Sequence, residues 1–200
     1  EIWDHIERNN QVKLNYNNIE LEWDTSTNRE KNECYKFFDS LLIGLKKQDQ
    51  ILLLESLTQT SIRKQNQNLF LNWEDINILS KHPLVTIGAH THSHPNLSIL
   101  KESEVFFEIS HSKELLEKNL KQKINHFAYP YGTLNEASTR EYELAKQHDF
   151  KTAVTTVQIS GRVTNMYAIP RYGIPYNLNA YGLQGKLSGW EHFLRTFKLS

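Results

Sequence analysis

The sequence predicts an α/β fold with parallel strands and helices packed outside them, on three observations. From Asn72 to Thr156, stretches with apolar residues three and four apart alternate with short β-branched runs, the order that βαβ units produce. Each short run is brief enough for a buried strand. Two clusters of unusual composition, at 90–94 and 129–132, follow directly on two of those runs. In α/β barrels and open sheets, chemistry gathers at such C-terminal strand ends.

A chain of 200 residues supports one domain with a sizeable core. The expected layout is a single unit over 1–200, with an irregular and helical insertion at 9–68 and the motif-bearing core at 69–175. The 23 Lys and Arg balance 23 Asp and Glu, so no strong field draws the chain to nucleic acid or an anionic membrane. The one cysteine, Cys34, excludes an internal disulfide and a Cys-rich zinc knot. No apolar run approaches the roughly 18 to 20 residues that span a bilayer, so the chain reads as soluble with no transmembrane segment. The start, Glu1-Ile2-Trp3-Asp4-His5, lacks the basic and apolar parts of an export signal. The compartment, cell envelope or cytoplasm, stays open.

In order along the chain, Val12, Leu14, Tyr16 and then Ile19, Leu21, Trp23 alternate as a short hairpin or an irregular excursion does. Between Tyr35 and Leu57, apolar residues recur at the spacing of one buried helix face, in one helix or a pair. The Gln/Asn-rich Lys64 to Asn68 reads as a surface loop. Asn72, followed by Glu74 and Asp75, suits a helix start, with the helix running to about Lys81. Leu84 to Gly88 reads as a short buried strand leading to His90. A helix over Glu102 to Leu120, a strand over Ile124 to Tyr129, a helix over Glu136 to His148 and a strand over Phe150 to Thr156 follow. A last apolar piece surrounds Ile169.

His90-Thr91-His92-Ser93-His94 places three imidazoles within five residues. On a turn after a strand, residues four apart face the same way, so His90 and His94 could aim at one metal while His92 points elsewhere. Imidazole suits zinc, cobalt, nickel or iron, with a third ligand, usually a carboxylate, and an open position if the site is catalytic. The plainer reading is a polar loop with surface histidines.

The flanking residues carry a family resemblance. Ile87-Gly88-Ala89-His90-Thr91-His92-Ser93-His94-Pro95-Asn96-Leu97 resembles the second motif of NodB-type polysaccharide deacetylases, a His-Ser/Thr-x-x-His pattern followed by Pro and Leu. Phe127-Ala128-Tyr129-Pro130-Tyr131-Gly132 is similar to the third motif, and Ala168-Ile169-Pro170-Arg171 to a segment found after the last motifs. The resemblance implies a deformed (β/α) barrel that hydrolyses N-acetyl or O-acetyl groups on a polysaccharide or oligosaccharide. It also implies a divalent metal, zinc foremost, held by an Asp and by His90 and His94. A second Asp would be the general base and a later His the general acid. The Tyr131 backbone N–H would support the oxyanion, and Tyr129, Pro130, Tyr131 and Gly132 would meet the sugar. Tyr129 and Tyr131 also read as aromatic core beside a turn.

Three parts of the pattern are missing. No Asp-Asp pair exists in the chain, so the resemblance implies an upstream segment or partner chain that completes the barrel and brings both carboxylates, or else a rearranged fold. The Arg expected in the third motif is replaced by Ala128, and Arg171 is the candidate to supply that charge. The general acid has no counterpart beyond His126 and His192, and is left unassigned. Two functions follow: a metal-dependent deacetylase, or a catalytically inactive relative that binds carbohydrate or metal; a purely structural α/β domain ranks last, because it leaves both strand-end motifs unexplained.

Overall fold

The computed structural model describes residues 2–16, 19–58, 70–157, 163–171, 173–174 and 177–188. The chain divides into two compact units, Glu1–Ile78 and Leu79–Ser200.

The first unit begins with α1 (Ile2–Arg8), followed by β1 (Gln11–Tyr16) and β2 (Ile19–Asp24). The two strands pair antiparallel with Val12 opposite Trp23 and Leu14 opposite Leu21, so of the hairpin and the irregular excursion that the alternation allowed, the hairpin forms. Val12 and Leu14 are buried while Gln11 and Lys13, which alternate with them, are exposed, as the two-residue strand period requires. Helices α2 (Asn28–Ile43) and α3 (Lys47–Thr58) follow, so the helical stretch is a pair, the second of the two arrangements its spacing allowed. Thr27 starts α2 by a capping box: its hydroxyl accepts from the Glu30 N–H, and the Glu30 carboxylate accepts from the Thr27 N–H at 2.9 Å. Ile6, Val12, Leu14, Cys34, Phe38 and Leu53 meet in one buried cluster. Helix α4 (Trp73–Ser80) starts where predicted, with Asn72 Oδ1 accepting from the Asp75 N–H at 2.9 Å. The proposed loop at 64–68 lies outside the described residues.

Burial pushes the Cys34 thiol up to about 11, whereas an unfolded cysteine ionises near 8.5. The folded state therefore holds this proton more tightly. The resulting stabilisation is fully present below about pH 8.5 and is lost as pH rises toward 11. Urea midpoints taken from pH 7.5 to 10.5 should fall more for the native chain than for Cys34→Ala; parallel curves would contradict this.

The second unit carries α5 (Glu102–Leu120), β3 (His126–Ala128), α6 (Thr139–Gln147), β4 (Thr152–Val154) and α7 (Ala180–Leu187). Strands β3 and β4 pair in parallel, Phe127 opposite Ala153. Single parallel bridges extend the pair on both sides, Ala89 to Phe127 and Val154 to Ile169. Four chain segments thus run parallel in the order 89, β3, β4, 169, with α5 and α6 packed on each other. This is the predicted α/β class. Phe127, Tyr129 and Phe150 form the aromatic centre of the core, with ring centroids 5.0 and 5.2 Å from Phe127.

The strand expected over Leu84 to Gly88 is a correction. Its front is spent in a turn, where the Val85 N–H donates to the His82 carbonyl, and Leu84 stays 89% exposed. The chain reaches β3 at Ala89 alone, whose N–H donates to the His126 carbonyl at 2.8 Å and whose carbonyl accepts from Ala128 at 2.9 Å. Gly88 allows that approach, since a Cβ there would lie 3.1 Å from the His126 carbonyl oxygen. Among the described residues no helix is long and apolar enough to cross a membrane.

Candidate active site

Two turns at the C-terminal strand ends build the site. The first, 90–94, leaves the sheet one residue after the Ala89 bridge. His90 Nδ1 lies 2.7 Å from the Ala128 carbonyl of β3. A carbonyl only accepts, so Nδ1 carries the proton and donates, which leaves the Nε2 lone pair as the ring's free ligand position. The chain then doubles back through left-handed conformations at Thr91 and His94, φ 64° and 57°. Thr91 Oγ1 accepts from the His94 N–H at 3.1 Å and so closes the turn. The result puts the His90 and His94 rings side by side, centroids 4.7 Å apart and planes at 74°.

Glu108, from the inner face of α5, holds this turn. One of its oxygens accepts from the backbone N–H groups of His92 and Ser93 at 2.9 and 2.8 Å, and the other accepts from Ser93 Oγ at 2.6 Å. The segment after His94 is tied to α6: Arg140 donates to the carbonyls of Leu97 and Leu100 at 2.7 and 3.0 Å and pairs with buried Glu141.

The second turn, 129–132, is fixed by the residues just after β4. The Thr156 N–H donates to the Gly132 carbonyl at 2.8 Å, and Thr156 Oγ1 donates to the Tyr131 carbonyl at 2.7 Å. Gly132 has φ 70°, and a Cβ there would meet the Thr156 nitrogen at 3.1 Å, so the tight turn needs glycine. The Tyr131 ring comes against His94, centroids 5.0 Å apart. Arg171 donates from Nε to the Thr155 carbonyl at 2.9 Å, which anchors it beside Thr156.

Of the four residues expected to meet a sugar, Tyr131 alone has a half-exposed side chain; Tyr129, Pro130 and Gly132 are buried. Tyr129 is the clear correction. Its ring is 0% exposed, packs on Phe127 and Tyr142, and its hydroxyl donates to the Tyr167 carbonyl at 2.9 Å. Burial, with Tyr142 and Glu141 adding, pushes its phenol up. Tyr129→Phe should therefore cost about 1 kcal/mol in urea denaturation, the worth of one buried hydrogen bond. It should leave any metal uptake by His90 and His94 unchanged; a fall in uptake would return Tyr129 to the site.

A cavity of about 430 Å³ borders His90 and is walled by Thr86, Phe127, Thr152, Val154 and His126. His126 Nδ1 is hydrogen-bonded to Thr152 Oγ1 at 2.7 Å in that wall. His192 lies outside the described residues. Among the described residues no third His, Cys, Asp or Glu joins His90 and His94 in a possible metal group. The Glu136 carboxylate is committed to Thr133, and the Asp75 carboxylate accepts from the Asn72 N–H at the start of α4. Glu108, Arg140 and Thr156 were not predicted as site supports. Only Glu108 left a signal in the sequence, as a carboxylate among the apolar positions Val105 and Ile109 of the buried helix face.

These features define an α/β protein with a paired-histidine turn and a Tyr-Pro-Tyr-Gly turn meeting at the ends of parallel strands. The family model for polysaccharide deacetylase matches residues 45–153, and the chain belongs to that family. The Streptococcus pyogenes deacetylase PplD, solved in complex with acetate, is similar over 58% of this chain and 50% of its own, at 23% identity and a TM-score of 0.53. A de-N-acetylase from Aggregatibacter actinomycetemcomitans is similar over 60% of this chain and 54% of its own, at 15% identity and a TM-score of 0.51. At these identities the likeness concerns the fold, which is the α/β type of these deacetylases. The chain spans about half the length of both structures. No curated protein matches the sequence.

Proposed function

We propose that the chain carries the two-histidine part of a metal-dependent hydrolase that removes N-acetyl or O-acetyl groups from a polysaccharide or oligosaccharide. The observation that carries this reading is the pairing of His90 and His94 at 4.7 Å with the Tyr131 ring against His94, at the strand ends of a family member. The donor set fits a divalent metal in two positions: His90 presents Nε2 because Nδ1–H is committed to Ala128, and His94 stands beside it. A metal there, zinc before cobalt, nickel or iron, would polarise the acetyl carbonyl and acidify a bound water.

The chain's own residues position and shield. The Tyr131 N–H is the candidate donor to the oxyanion, and the Tyr131 ring the candidate face for a sugar. Arg171, anchored at the end of β4, is the candidate to orient a general base. The base and the third ligand are carboxylates that an upstream segment or a partner chain would bring. The acid stays unassigned.

The test measures metal content and acetate release on the longest natural form, with an N-acetylated oligosaccharide as substrate. His90→Ala and His94→Ala should each lose the bound metal and reduce acetate release by at least about 10²-fold. Metal content unchanged in both variants would remove the assignment. Metal lost in both, with no acetate released by the parent protein, would leave an inactive relative that binds metal.

A further inference from the structure

The third imidazole of the 90–94 turn has a partner of its own. The His92 ring meets His111 of α5 with centroids 4.6 Å apart and planes at 77°, nearly the geometry of His90 and His94. Two imidazoles sharing a metal at about 2.0 to 2.1 Å per bond have ring centroids roughly 5 Å apart, so the pair is spaced for joint ligation. The His111 ring and the His92 backbone are held in place. Phe107, one turn earlier on α5, stacks on His111 at 4.9 Å and 14°, and Glu108 fixes the His92 backbone N–H. Among the described residues neither ring makes a hydrogen bond, whereas His90, His126 and His148 each commit Nδ1 to a partner. His92 is exposed and His111 half-buried, so a hydrated ion can reach them.

We propose that His92 and His111 form a second transition-metal site, separate from the His90 and His94 pair, for a divalent ion of the nickel, copper and zinc group. Two neutral imidazoles with the remaining positions filled by water suit these ions and exclude magnesium and calcium, which require oxygen donors. Because His92 sits between His90 and His94, an ion on this site ties the turn to α5 a second time, alongside Glu108. The site stands whether or not the protein is a deacetylase.

Nickel is the probe, on the untagged full chain. The His90→Ala and His94→Ala double variant should still bind one nickel in calorimetric titration, and adding His111→Ala should abolish that binding. In the native chain, nickel should broaden the imidazole proton resonances of His92 and His111, a reading that needs no variant to fold. Nickel binding that survives His111→Ala, no binding by the folded double variant, or unbroadened His111 resonances at saturating nickel would each overturn the site. His111→Gln, which keeps a polar side chain at this half-buried position, should match His111→Ala in losing the ion.

Discussion

Glu108→Ala should destabilise the protein by about 3 kcal/mol, far more than an ordinary helix-surface substitution, which falls within about 0.5 kcal/mol. Glu108 is 9% exposed, and its carboxylate accepts three hydrogen bonds from a single turn. Bonds to a charged acceptor contribute about 1.5 to 3 kcal/mol each, and truncation strands two backbone N–H groups in a half-buried setting. Water entering the gap recovers part of that cost. Glu108→Gln keeps one acceptor oxygen and should lose about half as much. Urea denaturation measures both. Since the same turn carries His90 and His94, any metal affinity of that pair should fall in step with stability across the two variants. A Glu108→Ala protein with native stability would mean that the turn is held by something other than this carboxylate.

Phe127→Ala should cost more, about 4 kcal/mol. The ring is 2% exposed and is the centre on which Tyr129 and Phe150 pack, so truncation opens a void among large side chains that cannot collapse around it. Its backbone is also the one that pairs with both Ala89 and Ala153. Thermal unfolding should therefore show the second unit melting earlier, and Phe127→Leu, which restores most of the volume, should recover much of the loss. A cost below about 1 kcal/mol would show that the parallel strands do not depend on this ring.

Much of this was legible in the sequence because the signals were periodic or chemically dense. The hairpin alternation, the α5 stripe and the His cluster each rest on several residues acting together. What escaped detection rested on single contacts between distant residues. Helix α2 begins at Asn28, ahead of the apolar stripe that reveals it; its start lies in the Thr27-x-x-Glu30 box, a four-residue signal inside a polar stretch. The segment from Leu84 to Gly88 has strand composition, yet composition does not say whether a neighbouring strand lies within bonding distance, and only Ala89 finds one. Tyr129 and Tyr131 look alike in the sequence. The turn rotates one into the core and the other toward His94, and that difference depends on Thr156, just after β4, holding the turn.

Thr91, His94 and Tyr131 all sit at positive φ without being glycine. Each left-handed residue costs roughly 1 kcal/mol relative to an extended one, and more for a β-branched threonine. Neither turn would hold this shape on its own. A peptide spanning 88–96 has the same histidines as the protein, but released from Ala128 and Glu108 it would relax to ordinary backbone and spread the rings apart. The paired histidines are therefore not portable: grafting the His-Thr-x-Ser-His string onto another loop would transfer the letters without the geometry, unless the strand carbonyl and the helix carboxylate were moved with it.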